Sequence, residues 1–146
     1  MAMADSLNGR CLCGAVTIRV ASHDARVGVC HCRMCRRWSG AVFAAFTAPA
    51  SDVTVAGKVA LYASSGFAER AFCPICGSHL WMRNTDDPAA EYDLMPGLFD
   101  ATETWPLRSE IYADRAPAYL ALAGDHARTT EADYEADEKS VQGDQT

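Results

Sequence analysis

The seven cysteines of this chain fall into three tight groups, Cys11-x-Cys13, Cys30-x-Cys32-x-x-Cys35 and Cys73-x-x-Cys76, and none stands apart. Cysteines one or two residues apart are poor disulfide partners for each other but good neighbours on a metal. An odd number also prevents disulfides from using them all. Tetrahedral zinc takes four thiolates at about 2.3 Å in structural sites, and three protein ligands plus an open position in catalytic ones. Seven divides as four plus three, which predicts two metals, one closed and one with a vacancy.

With 146 residues, 49% of them hydrophobic, the chain suits one globular domain with a real core, expected over residues 1–130. No apolar run approaches the roughly 20 residues of a membrane span. The N-terminal stretch has no basic region followed by an apolar one, so no secretory signal is expected. A cysteine-rich chain with these features points to a cytoplasmic setting and metal-bound thiolates. The net charge of −6 is uneven, because residues 131–146 hold Glu131, Asp133, Glu135, Asp137, Glu138 and Asp144 against the single base Lys139. This segment reads as an acidic, disordered C-terminal tail. The acidity also argues against nucleic acid as a partner, since phosphate binding draws on clustered Lys and Arg.

The pattern is mainly β. Val16, Ile18 and Val20 alternate with polar residues, which predicts a strand. Further strands are expected at 27–29, 41–47, 53–55, 59–62, 67–72, 80–82, 92–95 and 110–112. Gly57-Lys58 reads as a hairpin turn between two of them. Short helical turns are expected at 33–38 and, after Pro117, at 118–123.

Cys73-Pro74-Ile75-Cys76-Gly77 is the strongest local signal: two thiolates in a tight turn, with Gly77 free to adopt the dihedrals that aim amides at sulfur. One pair cannot complete a tetrahedral site, and Cys11-Leu12-Cys13-Gly14 supplies the second. The resulting staple would tie strands about sixty residues apart, so that metal binding contributes directly to folding. Cys30, Cys32 and Cys35 can cap one face of a metal and leave a position for an incoming thiol. His31 is a further candidate for that position. Arg33, Arg36 and Arg37 surround the cluster; they either steady thiolates and attract a carboxylate-bearing substrate or sit as solvated arginines on a short helix. Trp38, Phe43, Phe46 and Trp81 read as pocket lining or as core. His23, His79 and His126 have no ligand-like spacing to the cysteines. Iron also fits four thiolates.

The segments GRCLCGAV (9–16), CHCRMCRRWSG (30–40), FCPICGSHL (72–80) and SEIYADRAPAYL (109–120) together resemble the glutathione-dependent formaldehyde-activating enzyme family, which includes centromere protein V. Ala118 stands where members often have Trp. The resemblance implies a β-tent fold of small antiparallel sheets pinned by zinc. It implies Cys11, Cys13, Cys73 and Cys76 as structural zinc ligands and Cys30, Cys32 and Cys35 as ligands of a catalytic zinc. It also implies a carbon–sulfur lyase activity on a thiol adduct of a small aldehyde, as in reversible addition of glutathione to formaldehyde. Arg36 and Arg37 are the candidates for substrate binding. The alternative is a non-catalytic zinc module that binds a protein or small ligand.

Overall fold

Short apolar–polar alternations and frequent turn residues make this a chain of brief strands. A computed structural model describes residues 6–138. Its strands are β1 (Leu7–Arg10), β2 (Thr17–Val20), β3 (Val27–Cys30), β4 (Phe43–Ala48), β5 (Val53–Ala56), β6 (Ala60–Ala63), β7 (Ala68–Phe72), β8 (His79–Asn84), β9 (Tyr92–Leu94), β10 (Leu107–Ile111) and β11 (Ala127–Thr129). Two α-helices accompany them, α1 (Arg33–Ser39) and α2 (Glu131–Asp137). The mainly β class with short helices is as expected. One unit comprises residues up to Ala25 together with Ala45–Trp105; the other comprises Arg26–Ala44 together with residues from Pro106 onward.

In the first unit, β2 lies between β1 and β5, antiparallel to both. Val16, Ile18 and Val20 are buried while Thr17 and Arg19 are exposed, as the alternation predicts. Burying each such side chain contributes about 1.5–3 kcal/mol relative to leaving it in water. A second set of strands runs β4-β9-β8-β7-β6, antiparallel throughout. Phe46, Leu94, Trp81 and Ala71 face one another across this ladder and join Ile18, Val20 and Phe99 in one apolar cluster. Phe46 and Trp81 are therefore core. Cys11 and Cys73 belong to the same cluster, so two of the predicted metal donors sit at the rim of the core.

The expected hairpin at Gly57-Lys58 does not form. β5 pairs with β2 and β6 with β7, so the turn carries the chain from one set of strands to the other. Gly57 is needed there for its φ of 100°, and a Cβ would lie 2.1 Å from the Ala15 carbonyl oxygen. β5 packs Val53 and Val55 against the core from its place beside β2, whereas β6 leaves Leu61 and Tyr62 exposed and is held by its pairing with β7.

His23 is fully buried in this unit, stacked on Trp105 at 4.9 Å and edge-on to Phe46. Neither ring nitrogen has a hydrogen-bond partner among the described residues. Burial, only partly offset by Asp24, lowers its pKa from the ordinary value of 6.5, so the folded chain holds it neutral. The unfolded chain then binds the extra proton once the pH falls below about 6.5, and stability drops by up to about 1.4 kcal/mol per pH unit until the folded pKa is reached. His23→Phe is expected to remove this slope. Urea unfolding should show the variant gaining on the parent as pH falls from about 8 to 5; metal–thiolate contributions are common to both and cancel in the difference. A difference independent of pH would contradict it.

In the second unit β10 lies between β3 and β11 and runs parallel to both. The expected small sheets are thus not all antiparallel. β3 and β10 are separated by a long excursion of chain, which lets the second strand return in the same direction as the first. Helix α1 starts at Cys32 and ends at Gly40, whose φ of 90° lets its N–H reach the Arg36 carbonyl at 2.9 Å. No helix forms at 118–123; that stretch is irregular, with a single turn in which Leu120 N–H donates to the Pro117 carbonyl.

The segment read as an acidic tail from residue 131 begins instead with α2. Thr130 caps it, its hydroxyl accepting from the Asp133 N–H at 3.2 Å. The Glu131 carboxylate takes both Nε and a terminal nitrogen of Arg115, and the Tyr112 hydroxyl donates to Glu135 at 3.0 Å. These contacts and the packing of Tyr134 on Tyr112 seat the helix. Residues 139–146 of the expected tail, like residues 1–5, lie outside the described residues.

Candidate metal centres

Both connections that carry the first cysteine set are hairpin ends within the first unit. Cys11–Gly14 lies between the paired strands β1 and β2, and Cys73–Ser78 between β7 and β8. Each turn closes on a glycine with positive φ, Gly14 at 81° and Gly77 at 76°. This turn shape directs amides at sulfur: Val16 N–H to Cys11 Sγ at 3.3 Å, Ile75 N–H to Cys73 Sγ at 3.4 Å and Cys76 N–H to the same sulfur at 3.5 Å. Ser78 links the two turns, its hydroxyl taking the Leu12 N–H at 3.0 Å and lying 3.2 Å from Cys76 Sγ.

The four sulfurs of Cys11, Cys13, Cys73 and Cys76 lie within 4.8 Å of one another. Cys11 and Cys13 are 3.7 Å apart, and Cys13 and Cys73 are 3.8 Å apart. A disulfide requires about 2.05 Å. A tetrahedron with metal–sulfur bonds of about 2.3 Å has sulfur–sulfur edges of about 3.8 Å. The set therefore fits a tetrahedral metal. The Ser78 hydroxyl, with the Ser78 and Cys13 amides, lowers the Cys76 thiol to about 5, which favours the thiolate a metal needs.

The second set lies wholly in the second unit. Cys30 ends β3, Cys32 caps α1 and Cys35 sits in its first turn; all three are buried and their sulfurs lie within 4.8 Å of one another. Cys32 Sγ accepts the Cys35 N–H at 3.3 Å, so the thiol acts as the helix cap. The Cys30 thiol is pushed well above its ordinary range, because it hydrogen-bonds to Cys32 and Cys35, is buried, and would place its charge beside theirs. The three closely set sulfurs form a donor set that fits one metal ion.

His31 does not join the sulfurs. Its Nε2 donates to Glu110 Oε1 at 2.6 Å, and among the described residues no other Cys, His, Asp or Glu completes this group. Arg36 is half-buried, with a long contact of 3.4 Å to the Arg115 carbonyl, and Arg37 is exposed; both lie in the last turn of α1. A broad open groove of about 660 Å³ borders Arg10, Cys11, Arg19 and Ser78 in the first unit. Of the first cysteine set, Cys11 alone lines it.

Spacing gave no role to His126, but its Nε2 donates to Glu110 Oε2 at 2.5 Å, beside Arg128 Nε at 3.2 Å. Burial raises the Glu110 carboxyl, but the hydrogen bonds from His126 and His31 outweigh it and hold the group below its ordinary range. Tyr112 follows on the same strand end, with a left-handed backbone (φ 53°) and a buried ring. Burial, Glu135 and the charges of Cys32 and Cys30 push its phenol upward, so it stays protonated.

The model of the family described as glutathione-dependent formaldehyde-activating enzyme matches residues 6–115. The chain belongs to this family. Among its relatives is the uncharacterized lyase C29B12.13 of Schizosaccharomyces pombe, 33% identical over 110 residues, covering 75% of this chain and 80% of the yeast protein. A crystal structure of a Rhodobacter sphaeroides protein, a structural-genomics target, is similar in fold. Its TM-score is 0.56 with 29% identity, over 69% of this chain and 99% of that one. Both cysteine sets lie inside the family match, whereas His126, Arg128 and α2 follow it. Among the described residues no helix is long and apolar enough to cross a membrane.

Proposed function

We propose that the chain is a zinc-dependent enzyme of the carbon–sulfur lyase type, acting on the adduct of a thiol such as glutathione with a small aldehyde such as formaldehyde. Cys11, Cys13, Cys73 and Cys76 hold a structural zinc, and Cys30, Cys32 and Cys35 hold the zinc at which the reaction occurs. The carrying observation is the three-sulfur set, with His31 turned to Glu110 instead of completing it. A structural site gains little from three donors, whereas a catalyst needs the open position. Zinc bound there would act as a Lewis acid and favour the thiolate form of an incoming thiol.

The chain's own residues set the rest. The Cys35 amide steadies the Cys32 sulfur at the start of α1. Arg36 and Arg37, in the last turn of that helix, are placed to attract the carboxylates of a glutathione-like thiol. Tyr112 commits its single hydroxyl proton to Glu135, so it ties α2 to the end of β10 and does not act as a base. In the synthetic direction the thiol sulfur bonds to the aldehyde carbon, and the thiol proton ends on the new hydroxyl oxygen. The cleaving direction reverses both.

A screen of thiols and aldehydes with the zinc-loaded protein tests this, with thiol consumption followed by NMR. Accelerated formation or breakdown of an adduct is expected for at least one pair. No acceleration with any pair would leave a zinc module that binds without turnover.

A further inference from the structure

The three-cysteine loop is held by a buried side-chain network that the reaction itself does not use. Glu110 is 3% exposed and lies on β10, the middle strand of the second unit. Its two carboxylate oxygens take His31 Nε2 at 2.6 Å on one side, and His126 Nε2 at 2.5 Å with Arg128 Nε at 3.2 Å on the other. A buried carboxylate is costly unless it is paired and hydrogen-bonded; three donors meet that need.

His31 is 1% exposed and lies between two of the cysteines. Its backbone N–H donates to the Ile111 carbonyl at 3.1 Å while its ring reaches Glu110. The residue between Cys30 and Cys32 is thereby fastened to β10 twice, once through the main chain and once through the side chain. Arg128 is fixed in turn by the Leu122 and Gly124 carbonyls at 2.8 and 2.9 Å.

We propose that Glu110 is the positioning residue of the second metal centre: through the His31 ring it fixes the Cys30–Cys32 loop in its metal-binding shape, and His126 and Arg128 hold Glu110 in turn. This rests on the reading of the three cysteines as a metal centre. Three thiolates repel one another, so an untethered loop would spread and need ordering when the metal arrives. A loop already fixed loses less entropy on binding. Two of the three clamps, His126 just before β11 and Arg128 on it, lie beyond the end of the family match, so this chain completes its second centre with its own C-terminal segment.

Cobalt titration of the full chain tests the proposal, because thiolate-bound cobalt absorbs in a way that reports coordination geometry. A competing chelator yields the affinity of each site. The parent is expected to bind at both clusters. Glu110→Gln should leave the four-cysteine site unchanged, weaken the second by about 10–100-fold and shift its absorption, as loss of groups that orient a metal site does. His31→Ala should weaken it similarly. Adding Glu110→Gln to His31→Ala should change nothing further, because groups acting through one residue are not additive. Losses that simply add, or a folded Glu110→Gln chain with unaltered second-site affinity and spectrum, would overturn the proposal. Should that variant fail to fold by circular dichroism, His126→Gln leaves the His31–Glu110 bond in place and should give a smaller shift of the same kind; no shift overturns it. A parent chain that binds no cobalt at the second cluster refutes the metal-centre reading itself, which the unsubstituted protein alone reveals.

Discussion

Cys76→Ser is expected to abolish cooperative folding of the first unit. Cys76 is one of four sulfurs gathered from two hairpin ends, and Ser78 lowers its thiol to about 5. Serine keeps the shape and the contact to Ser78 but offers no thiolate. Structural zinc contributes about 10–16 kcal/mol of apparent binding free energy in small zinc domains, whereas a whole domain is stable by only about 5–15 kcal/mol. Loss of one donor therefore removes an amount comparable with the total. Trp81 and Trp105 lie in this unit and report on it by fluorescence. Their melting transition should vanish, and the buried thiols of Cys11 and Cys73 should react with a thiol reagent. A cooperative transition within a few degrees of the parent would show that the four-cysteine site does not support the fold.

Cys32→Ser should have a different effect: loss of the second metal and of turnover, with folding kept. The Cys32 sulfur caps α1 through the Cys35 amide. Serine is among the preferred helix caps, so its hydroxyl can take over that hydrogen bond. The donor is lost while the helix start survives. Metal analysis should fall from two zinc ions per chain to one, matching the loss of one of the two clusters, and adduct turnover should drop below detection. Retention of both zinc ions with full turnover would remove the second cluster from the chemistry. Unfolding as complete as in Cys76→Ser would make it a second structural site.

The division of the cysteines was legible in the sequence because metal-binding turns are local. Two donors one or two residues apart with a following glycine specify a turn whatever surrounds it, and Gly14 and Gly77 adopt the expected backbone. The strand at Thr17–Val20 was legible for the same reason, its alternation reflecting one buried face. What escaped depends on pairing at long range. Nothing near Gly57-Lys58 reveals that β5 and β6 join different partners. Nor does local pattern reveal that β10 returns parallel to β3, and with it the meeting of Glu110 with His31 and His126, residues far apart in sequence. One feature was present but masked: Thr130 followed by Asp133 is a helix-start pattern, obscured by the acidic run that made the segment resemble a solvated tail. His31 is the instructive case, since a histidine between two metal donors has the right chemistry for a ligand and yet serves a carboxylate.

The placement of the two cysteine sets also imposes a timetable on a growing chain. Cys30, Cys32 and Cys35 emerge almost together, so one short stretch of new polypeptide presents all three. Cys13 and Cys73 are 60 residues apart. At synthesis rates of about 5–20 residues per second, the first pair waits about 3 to 12 s for its partners. During that interval two thiols stand exposed as half of a site, open to oxidants and to any soft metal that tolerates two ligands. On the proposed assignment, the structural site is thus completed after the catalytic one.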